Sequence, residues 1–326
     1  MLRVGLIGCG GIGAVHAECW LMNCDVAQLV AIADVDEERT SQYATRSGAK
    51  VYQDGFKLLA NEELDVIDIC LPTFLHARYL VKAMECVPNV IVEKPVCLHE
   101  NEIQQILEVQ ERTGTLVQVG HVVRFAEAYR YLKETVDSGI YGKVVTANFA
   151  RISPRPMWMK GHDDRNRTGT MVLDMHIHDV DYIRYLMGGD PDKMDTCTVK
   201  DDDGIPQHIW SCYRYGNAVL TAEGSWNYPT NMPFAQTYRV RLEKAALILD
   251  EKGTLTVYPE EGESFIPKLQ TDERDLGINV SDMQIYINEF DYFIESILKQ
   301  RREGIASLSE AVASFRLAVK ELEAME

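Results

Sequence analysis

The feature that most constrains the fold is a glycine-rich turn directly after the first apolar run. The run 2–7 is followed by Gly8, Gly10 and Gly13 in G-x-G-x-x-G spacing, and helical spacing begins there. The first glycine permits a tight turn, the second lets the backbone approach a pyrophosphate, and the third lets a helix pack close to the strand. The helix N-terminus offers N–H groups and a positive dipole end to the phosphates. We predict that five residues of this turn bind a dinucleotide: Gly8, Gly10, Gly11, Ile12 and Gly13.

An aspartate ends the second apolar run. Asp34 closes the AIAD stretch, 21 residues after Gly13, close to the separation of about 20 expected for the acidic residue that binds the ribose. A carboxylate there accepts hydrogen bonds from the ribose hydroxyls and repels a 2′-phosphate. We therefore predict NAD as the cofactor and assign Asp34 to it. NADP stays an alternative, because the nearby Arg39, also assigned to the cofactor site, would weaken the preference.

Residues 1–121 alternate apolar runs with longer mixed stretches. Near-continuous runs of this kind suit parallel strands covered on both faces: 2–7, 27–33, 66–71, 90–92 and 116–119. The stretches between them have helical spacing: 11–22, 36–47, 74–86 and 99–113. The alternation predicts an α/β fold, with a doubly wound parallel sheet in a dinucleotide-binding Rossmann domain over residues 1–121.

After residue 121 the pattern changes to strands joined by short turns. The strand candidates are 144–151, 193–200, 207–215, 218–226, 237–242 and 247–250, and the helix candidates are 126–138, 171–187, 282–301 and 308–325. Such strands predict an open, mainly antiparallel sheet, with a hairpin at Gly216 and Asn217 and a long loop over 259–279. We predict an α+β domain for substrate binding and oligomerisation over residues 122–326. The sequence also leaves open that the last helix packs back on the first domain.

Charge and cysteine usage exclude several classes of protein. Lys plus Arg is 33 and Asp plus Glu is 50, a formal net charge of −17, which repels nucleic acid. No apolar run approaches the roughly 20 residues of a membrane span, and the N-terminus lacks a signal-peptide cleavage site. The eight cysteines form no C-x-x-C pair, which favours free thiols in a reducing compartment. We expect a cytoplasmic protein without a bound metal, a nucleic-acid partner or a membrane partner.

A lysine stands at the end of the fifth apolar run, in the sequence Glu93-Lys94-Pro95. Ligands of parallel sheets bind at the carboxyl ends of the strands, so Lys94 is a candidate for the crevice there. The alternative is an ordinary surface lysine before a turn-forming proline.

A second candidate pair lies in the helix 171–187. Asp174 and His178 are four residues apart, so both side chains lie on one helix face. A carboxylate beside an imidazole fixes its tautomer and raises its basicity; the alternatives are a helix cap or a buried histidine. His176 lies on a different face, so the two histidines do not form a metal pair. The nearby aspartates are expected to be solvated or to support the helix: Asp179 and Asp181.

The stretch 151–167 is locally basic within an acidic chain. It contains Arg151, Arg155, Lys160, Arg165 and Arg167 against only Asp163 and Asp164. It is either a solvated loop or a lid over a polyhydroxylated or anionic substrate. Side chains suited to sugars lie in the same stretch: Trp158, His162 and Asn166. We take Arg151 and Trp158 as candidate substrate-binding residues.

Together these motifs resemble the glucose–fructose oxidoreductase / inositol dehydrogenase (Gfo/Idh/MocA) family. The resemblance covers nearly the whole chain. It rests on GLIGCGGIGAVHA, AIAD, PTFLH at 72–76, EKP at 93–95, the D-x-x-x-H helix, HVVRF at 121–125 and SGIYGKV at 138–144, in the order and spacing of the family.

The resemblance implies roles for individual residues. Lys94 would bind the reacting hydroxyl beside the nicotinamide, His178 would act as general base, and Asp174 would orient the substrate. The cofactor site would include Pro72, Thr73, His76, Glu93 and Lys94, and the substrate site would include Arg124. The family also implies a cis peptide before Pro95 and a homodimer or homotetramer formed through the outer face of the second sheet. The family often has glycine where this chain has His176, and we favour packing over substrate contact for that ring.

The resemblance implies an NAD-dependent oxidoreductase. It would move a hydride from a secondary hydroxyl of a cyclic polyol or sugar, with inositol-like substrates first, then aldoses and sugar derivatives. Two alternatives stay open. One is a redox-neutral NAD-dependent glycosidase or lyase, which would release a leaving group without accumulating NADH. The other is a non-catalytic NAD-binding regulator, which would typically have lost the lysine or the histidine that this chain keeps.

Overall fold

The computed structural model describes residues 1–157, 164, 166–270 and 282–324. The chain divides into two compact units, Met1–Phe125 with Thr271–Val312 and Ala126–Gln270 with Ala313–Glu326. This division differs from the boundary expected after residue 121. The described residues of 282–312 belong with the first unit, although they lie far beyond that boundary in sequence.

The first unit is built on a six-stranded parallel sheet in the order β3-β2-β1-β4-β5-β6. The strands are β1 Leu2–Ile7, β2 Ala27–Ala33, β3 Lys50–Tyr52, β4 Val66–Ile69, β5 Asn89–Val92 and β6 Leu116–Val119. The predicted doubly wound parallel sheet is confirmed. Strand β3 was not predicted, because its three largely exposed residues form no apolar run.

Six helices accompany this sheet: α1 Gly11–Met22, α2 Glu37–Ser47, α3 Gly55–Asn61, α4 His76–Met84, α5 Glu100–Thr113 and α8 Gln284–Leu298. Short 3₁₀ turns lie at Thr73–Leu75 and Val122–Phe125. Aspartates cap two of the helices, since Asp36 and Asp54 accept the backbone N–H two residues further on. Helix α3 was not predicted, because seven residues are too few to show a helical period.

Helix α8 completes the core of the first unit. Phe290 and Phe293 of α8 are buried in one apolar cluster with Trp20 of α1. The rings of Trp20 and Phe290 lie 4.8 Å apart and meet edge to face. Each fully buried aromatic side chain of this size contributes about 1.5–3 kcal/mol. A segment from the far end of the sequence therefore stabilises the unit that begins the chain.

The second unit holds a seven-stranded sheet in the order β13-β12-β11-β7-β10-β9-β8. The strands are β7 Val144–Pro154, β8 Lys193–Lys200, β9 Pro206–Tyr215, β10 Ala218–Tyr228, β11 Ala235–Leu242, β12 Ala245–Leu249 and β13 Leu255–Pro259. Only β7 and β10 pair in parallel, so the predicted mainly antiparallel sheet is confirmed. The predicted hairpin joins β9 to β10 and places Gly216 at φ +58°. Strand β13 was not predicted.

Helices α6 Glu127–Ser138 and α7 Ile177–Met187 belong to the second unit, and a π-helical turn, Val172–His176, leads into α7. Buried rings from helix and sheet pack edge to face, with those of Tyr129 on α6 and Tyr238 on β11 5.3 Å apart. The last helix, α9 Leu308–Ala324, is divided between the units after Val312, so only its first residues belong to the first unit. Within the described ranges, no helix combines the length and apolar character needed to cross a membrane.

Candidate functional site

The glycine turn has the geometry that the sequence predicts. Gly8 has φ +96°, and a Cβ there would lie 2.3 Å from the carbonyl oxygen of Cys70. A Cβ on Gly13 would lie 2.0 Å from the carbonyl oxygen of Gly8. Only glycine fits either position, because both clashes are with backbone. The turn therefore brings the start of α1 directly against the ends of β1 and β4.

The opposite side of the turn is open. A Cβ on Gly11 would meet nothing within 4 Å, and one on Gly10 would meet only the guanidinium of Arg39, at 3.9 Å. No side chain caps Gly10 at the N-terminus of α1. A bare helix N-terminus with open space in front of it fits the pyrophosphate of a dinucleotide. Ile12, in the same first turn, is half-buried.

Asp34 is anchored at the end of β2 by two backbone groups. Cys9 N–H donates to Oδ2 at 2.7 Å and Asp36 N–H donates to Oδ1 at 2.9 Å. Each carboxylate oxygen has a second lone pair, so the group can still accept ribose hydroxyls. Arg39 pairs with Asp36 at 3.1 Å and lies beside the turn at Gly10. The anion and the cation are thus both next to the predicted ribose position.

The loop after β4 is joined to the loop after β5 by His76. The buried ring places Nε2 2.7 Å from the carbonyl oxygen of Leu71 and Nδ1 2.7 Å from that of Pro95. Burial lowers the pKa of His76. Both nitrogens lie against the backbone, so this side chain positions the loops. Pro72 and Thr73 begin the same turn after β4, and their contact with the nicotinamide stays a prediction.

Lys94 follows β5 and precedes Pro95 through a cis peptide bond, as the family resemblance implied. The side chain of Glu93 is buried and turns into the first unit. Its Oε2 accepts the backbone N–H of Lys94 at 3.1 Å, and its Oε1 lies 3.2 Å from Nε2 of His16. Burial alone would raise the pKa of Glu93, but the hydrogen bond and charge of His16 outweigh it and lower that pKa. The assignment of Glu93 to the cofactor site stays a prediction, and its carboxylate binds His16 and the backbone of Lys94.

Asp174 and His178 share one face of their helix. From Met171 to Arg184 every residue except these two is buried. The π-helical turn contains Asp174, and His178 lies in the first turn of α7. Wide turns of this type are frequent at functional sites. The second unit thus presents one partly exposed carboxylate and one partly exposed imidazole from an otherwise buried helix, the arrangement expected from their spacing.

His176 packs inside the second unit. The ring is fully buried, with Nε2 3.4 Å from the carboxylate of Glu321 on α9. A Cβ on Gly224 would lie 2.7 Å from Nδ1, so the glycine of β10 makes room for the ring. Tyr213 donates a hydrogen bond to the other oxygen of Glu321. These contacts agree with the packing interpretation.

Arg124 is buried in the first unit. Its side chain is 1% exposed, donates to the carbonyl oxygen of Ile305 and lies 3.5 Å from the carboxylate of Glu310. These contacts count against the assignment of Arg124 to the substrate site, which stays a prediction.

Arg151 is likewise buried. It lies in β7, not in a loop, and its Nε and Nη2 bind the two carboxylate oxygens of Asp179 at 2.9 and 3.2 Å. Its Nη1 donates to Gln236 at 2.7 Å. Burial alone would lower the pKa of Arg151, but the charge of Asp179 outweighs it and raises that pKa. These contacts with Asp179 and Gln236 count against the assignment of Arg151 to the substrate site, which stays a prediction.

The two aspartates of α7 are buried, not solvated. Asp179 binds Arg151, and Asp181 accepts a hydrogen bond from Ser314 at 2.8 Å. Trp158 lies outside the described residues, as do Lys160, His162, Asp163 and Arg165 of the predicted basic stretch.

Sequence reasoning missed the buried group around His16. It consists of His16 and Trp20 on α1, Asp68 and Cys70 at β4, and Glu93 after β5. A signal was present, because Asp68 interrupts the apolar stretch VIDIC and strands buried on both faces rarely hold a charge.

Both halves of the chain match one family. Residues 2–121 match the family described as "Oxidoreductase family, NAD-binding Rossmann fold", and residues 129–248 match the GFO/IDH/MocA C-terminal domain.

Several relatives carry inositol dehydrogenase names. The chain is 32% identical over 188 residues to a myo-inositol 2-dehydrogenase of Thermotoga maritima, across 57% of this chain and 55% of that relative. The chain thus spans about half the length of that relative, and the same holds for a scyllo-inositol 2-dehydrogenase of Bacillus subtilis. An inositol 2-dehydrogenase of Rhizobium meliloti is 28% identical over 97% of this chain and 96% of its own length.

Solved structures show the same fold. An oxidoreductase from Agrobacterium radiobacter, solved with NAD⁺, L-tartaric acid and magnesium, has a TM-score of 0.86 at 19% identity, over 99% of this chain and 96% of that one. The two family domains follow each other in this chain in the order of the family, and the first has the open glycine turn and anchored aspartate that suit NAD. The chain therefore belongs to the Gfo/Idh/MocA oxidoreductase family and has NAD as its cofactor.

Proposed function

We propose that the protein is an NAD-dependent dehydrogenase that oxidises a secondary hydroxyl of a cyclic polyol or sugar. The observation that carries the proposal is the partly exposed pair Asp174 and His178 on an otherwise buried helix, in a chain whose first unit has the open glycine turn. The names of its relatives point to inositols as the first substrates to test.

In the proposed reaction the chain supplies acid–base and electrostatic chemistry. When bound, NAD would supply the hydride acceptor for this oxidation. His178 takes the hydroxyl proton as general base, a role that typically contributes about 10²–10⁴-fold to the rate. Lys94 binds the same oxygen and stabilises the negative charge that develops on it. Asp174 orients the substrate, and its charge favours the protonated imidazole that forms on His178.

The first experiment measures NADH formation by the purified protein, with NAD or NADP and a panel of inositols, aldoses and sugar acids. We expect turnover with NAD and one polyol class. Lys94→Ala should lower kcat at least about 100-fold while the Kd for NADH changes by less than about threefold, because the lost interaction forms mainly in the transition state.

Lys82→Ala is the matched control, because Lys82 is a partly exposed lysine on α4 whose carboxylate partner, Glu85, is exposed. Full turnover by Lys94→Ala would exclude the proposed role of that residue. Release of a leaving group without NADH accumulation would replace the dehydrogenase with the redox-neutral enzyme.

We further propose that the protein works in the cytoplasm as a homodimer or homotetramer. All eight cysteines are free, as in a reducing compartment. Trp210 on β9 and Val199 on β8 are each 44% exposed on the second sheet, which supports this face as the contact between copies. Trp210→Glu should convert the assembly to monomers in sedimentation equilibrium. Ile140→Glu, at an exposed apolar residue of the same unit, should not.

A further inference from the structure

A buried cluster of polar side chains lies under the glycine turn, and the proposed reaction does not use it. Nδ1 of His16 is 3.0 Å from both carboxylate oxygens of Asp68. Trp20 donates its indole N–H to Asp68 Oδ2 at 2.7 Å, and the Cys70 thiol donates to Oδ1 at 3.3 Å. His16, Trp20 and Asp68 are each fully buried. Asp68 is therefore a carboxylate in the interior of the first unit, bound by three side chains.

The cluster continues from His16 to the backbone of Lys94. The second ring nitrogen of His16, Nε2, is 3.2 Å from Oε1 of Glu93. The other oxygen of Glu93 accepts the backbone N–H of Lys94 at 3.1 Å. Gly120 lies against Glu93 so closely that a Cβ there would be 2.7 Å from Oε1. One continuous series of hydrogen bonds and ion pairs thus runs from β4 through α1 to the peptide group of Lys94.

The charges along this series alternate. Burial alone would lower the pKa of His16, but the neighbouring Asp68 holds it well above its usual value, so His16 is an imidazolium. The pKa of Glu93 is lowered, so Glu93 is a carboxylate. The cation of His16 therefore lies between the anions of Asp68 and Glu93.

Four other titratable groups face His16. Burial raises the pKa of the thiols of Cys70 and Cys19, that of Cys19 to about 12. From α8, burial raises the pKa of Tyr286 and that of Glu289. The charge of Asp68 raises the pKa of His16 most, and the contact with Cys70 raises it further.

We propose that Asp68 and His16 are positioning residues for Lys94: Asp68 holds the His16 side chain between itself and Glu93, and Glu93 fixes the peptide group of Lys94. The inference rests on the proposed function for the part that concerns Lys94. Its physical content is that a lysine on a loop reaches the same place in every turnover only if the loop backbone is held. A displacement of about 1 Å at a reacting group costs on the order of 100-fold in rate.

Asp68→Asn tests this series with almost no change in shape. The amide oxygen can still accept the Trp20 N–H, but the negative charge that stabilises imidazolium is gone, so the pKa of His16 falls. At pH 8 we expect a larger share of neutral His16 in the variant than in the wild type, which weakens the ion pair with Glu93. We expect kcat at pH 8 to fall about 10- to 100-fold, with Tm and the Kd for NADH changed far less.

The pH dependence separates positioning from general damage. Lowering the pH protonates His16 again in the variant, so the ratio of wild-type to Asp68→Asn kcat should shrink between pH 9 and pH 6. A packing defect would leave this ratio constant. Glu18→Gln is the matched control, because Glu18 is a buried carboxylate on the same helix whose partner is Arg46. The ratio of wild-type to Glu18→Gln kcat should stay near 1 at every pH.

A second readout needs neither substrate nor cofactor. In ¹H–¹⁵N spectra of the full chain, the His16 ring should carry protons on both nitrogens at pH 8 in the wild type and become neutral in Asp68→Asn. A neutral ring in the wild type at pH 8 would overturn the inference. So would one bound Zn²⁺ per chain that is lost in Asp68→Asn, because His16, Asp68 and Cys70 have ligand atoms within 4.8 Å of one another and a metal would replace the Nδ1 proton.

The outcomes also separate this inference from the proposed function. If no polyol is turned over but the His16 spectra behave as expected, the alternating charges stand and the substrate assignment fails. If the wild type turns over and the kcat ratio is independent of pH, the proposed function stands and the positioning role fails.

Discussion

The cofactor preference depends on single side chains at the end of β2. Asp34 receives two backbone N–H groups, and the cation of Arg39 lies beside the same turn. A carboxylate at this position excludes a 2′-phosphate by charge, whereas an arginine attracts one. We expect NAD to be preferred over NADP, because the Asp34 carboxylate is held by two backbone N–H groups and Arg39 is already paired with Asp36.

Asp34→Ser should shift this balance. A hydroxyl removes the repulsion and leaves Arg39 in place, so the ratio of kcat/KM for NAD to that for NADP should fall at least about tenfold, or about 1.4 kcal/mol. Steady-state kinetics with both cofactors measure it. Asp54→Ser provides the comparison, since Asp54 also accepts the backbone N–H two residues further on, as Asp34 does, without lying at the ribose position. An unchanged ratio would remove Asp34 from the specificity determinants.

Residues with local roles were predictable from sequence, and residues with distant partners were not. Gly8 and Asp34 act through the turn in which they stand, so spacing identified them. Arg151 looked like part of a basic loop, but its partner Asp179 lies 28 residues away. Arg124 binds groups near residue 305. A single sequence shows that such an arginine is charged, but only the fold shows which acidic or polar group binds it.

At the scale of elements, long periodic segments were predictable and short ones were not. The other strands of the first sheet, β1, β2, β4, β5 and β6, and the long helices carry enough apolar residues to show their period. The three residues of β3 and the seven of α3 do not. The π-helical turn before α7 was not predicted either, because one extra residue in a turn barely alters the helical pattern of apolar residues.

The contact of α1 with β1 gives a prediction at this scale. Gly13→Ala places a methyl 2.0 Å from the carbonyl oxygen of Gly8 and must separate the helix from the turn. We expect a loss of about 1–3 kcal/mol in unfolding free energy, measured as a lower Tm of the cofactor-free protein. Gly11→Ala has open space and should leave that Tm unchanged or slightly higher, because alanine favours helix. Equal Tm values for both variants would contradict the close contact.

At the scale of the whole molecule, the first unit is discontinuous in sequence. Its cluster of buried side chains around Trp20 includes Phe290 and Phe293, which follow the entire sheet of the second unit along the chain. Length and composition gave no sign of this, because a helix at the end of a sequence resembles any other amphipathic helix. The domain limits expected from sequence therefore differ from the two compact units mainly at α8.

Phe290→Ala should destabilise the cofactor unit, although the residue lies 165 positions beyond Phe125 in sequence. Removing a buried phenyl ring costs about 3–5 kcal/mol. The urea concentration at the midpoint of unfolding should therefore fall when unfolding is followed by the loss of NADH binding. Leu298→Ala, at the exposed end of the same helix, should shift it little. An unfolding midpoint that is the same in Phe290→Ala as in the wild type would show that α8 contributes little to the stability of this unit.

The late position of α8 also sets an order of events during protein synthesis. A ribosome releases β1 to β6 first, then every strand of the second sheet, and only afterwards the helix that covers Trp20. Until that moment the nascent first unit keeps an apolar surface exposed, which chaperones recognise and which promotes aggregation. A chain that ends anywhere within the second sheet would therefore lack α8, and the core of its first unit would stay incomplete.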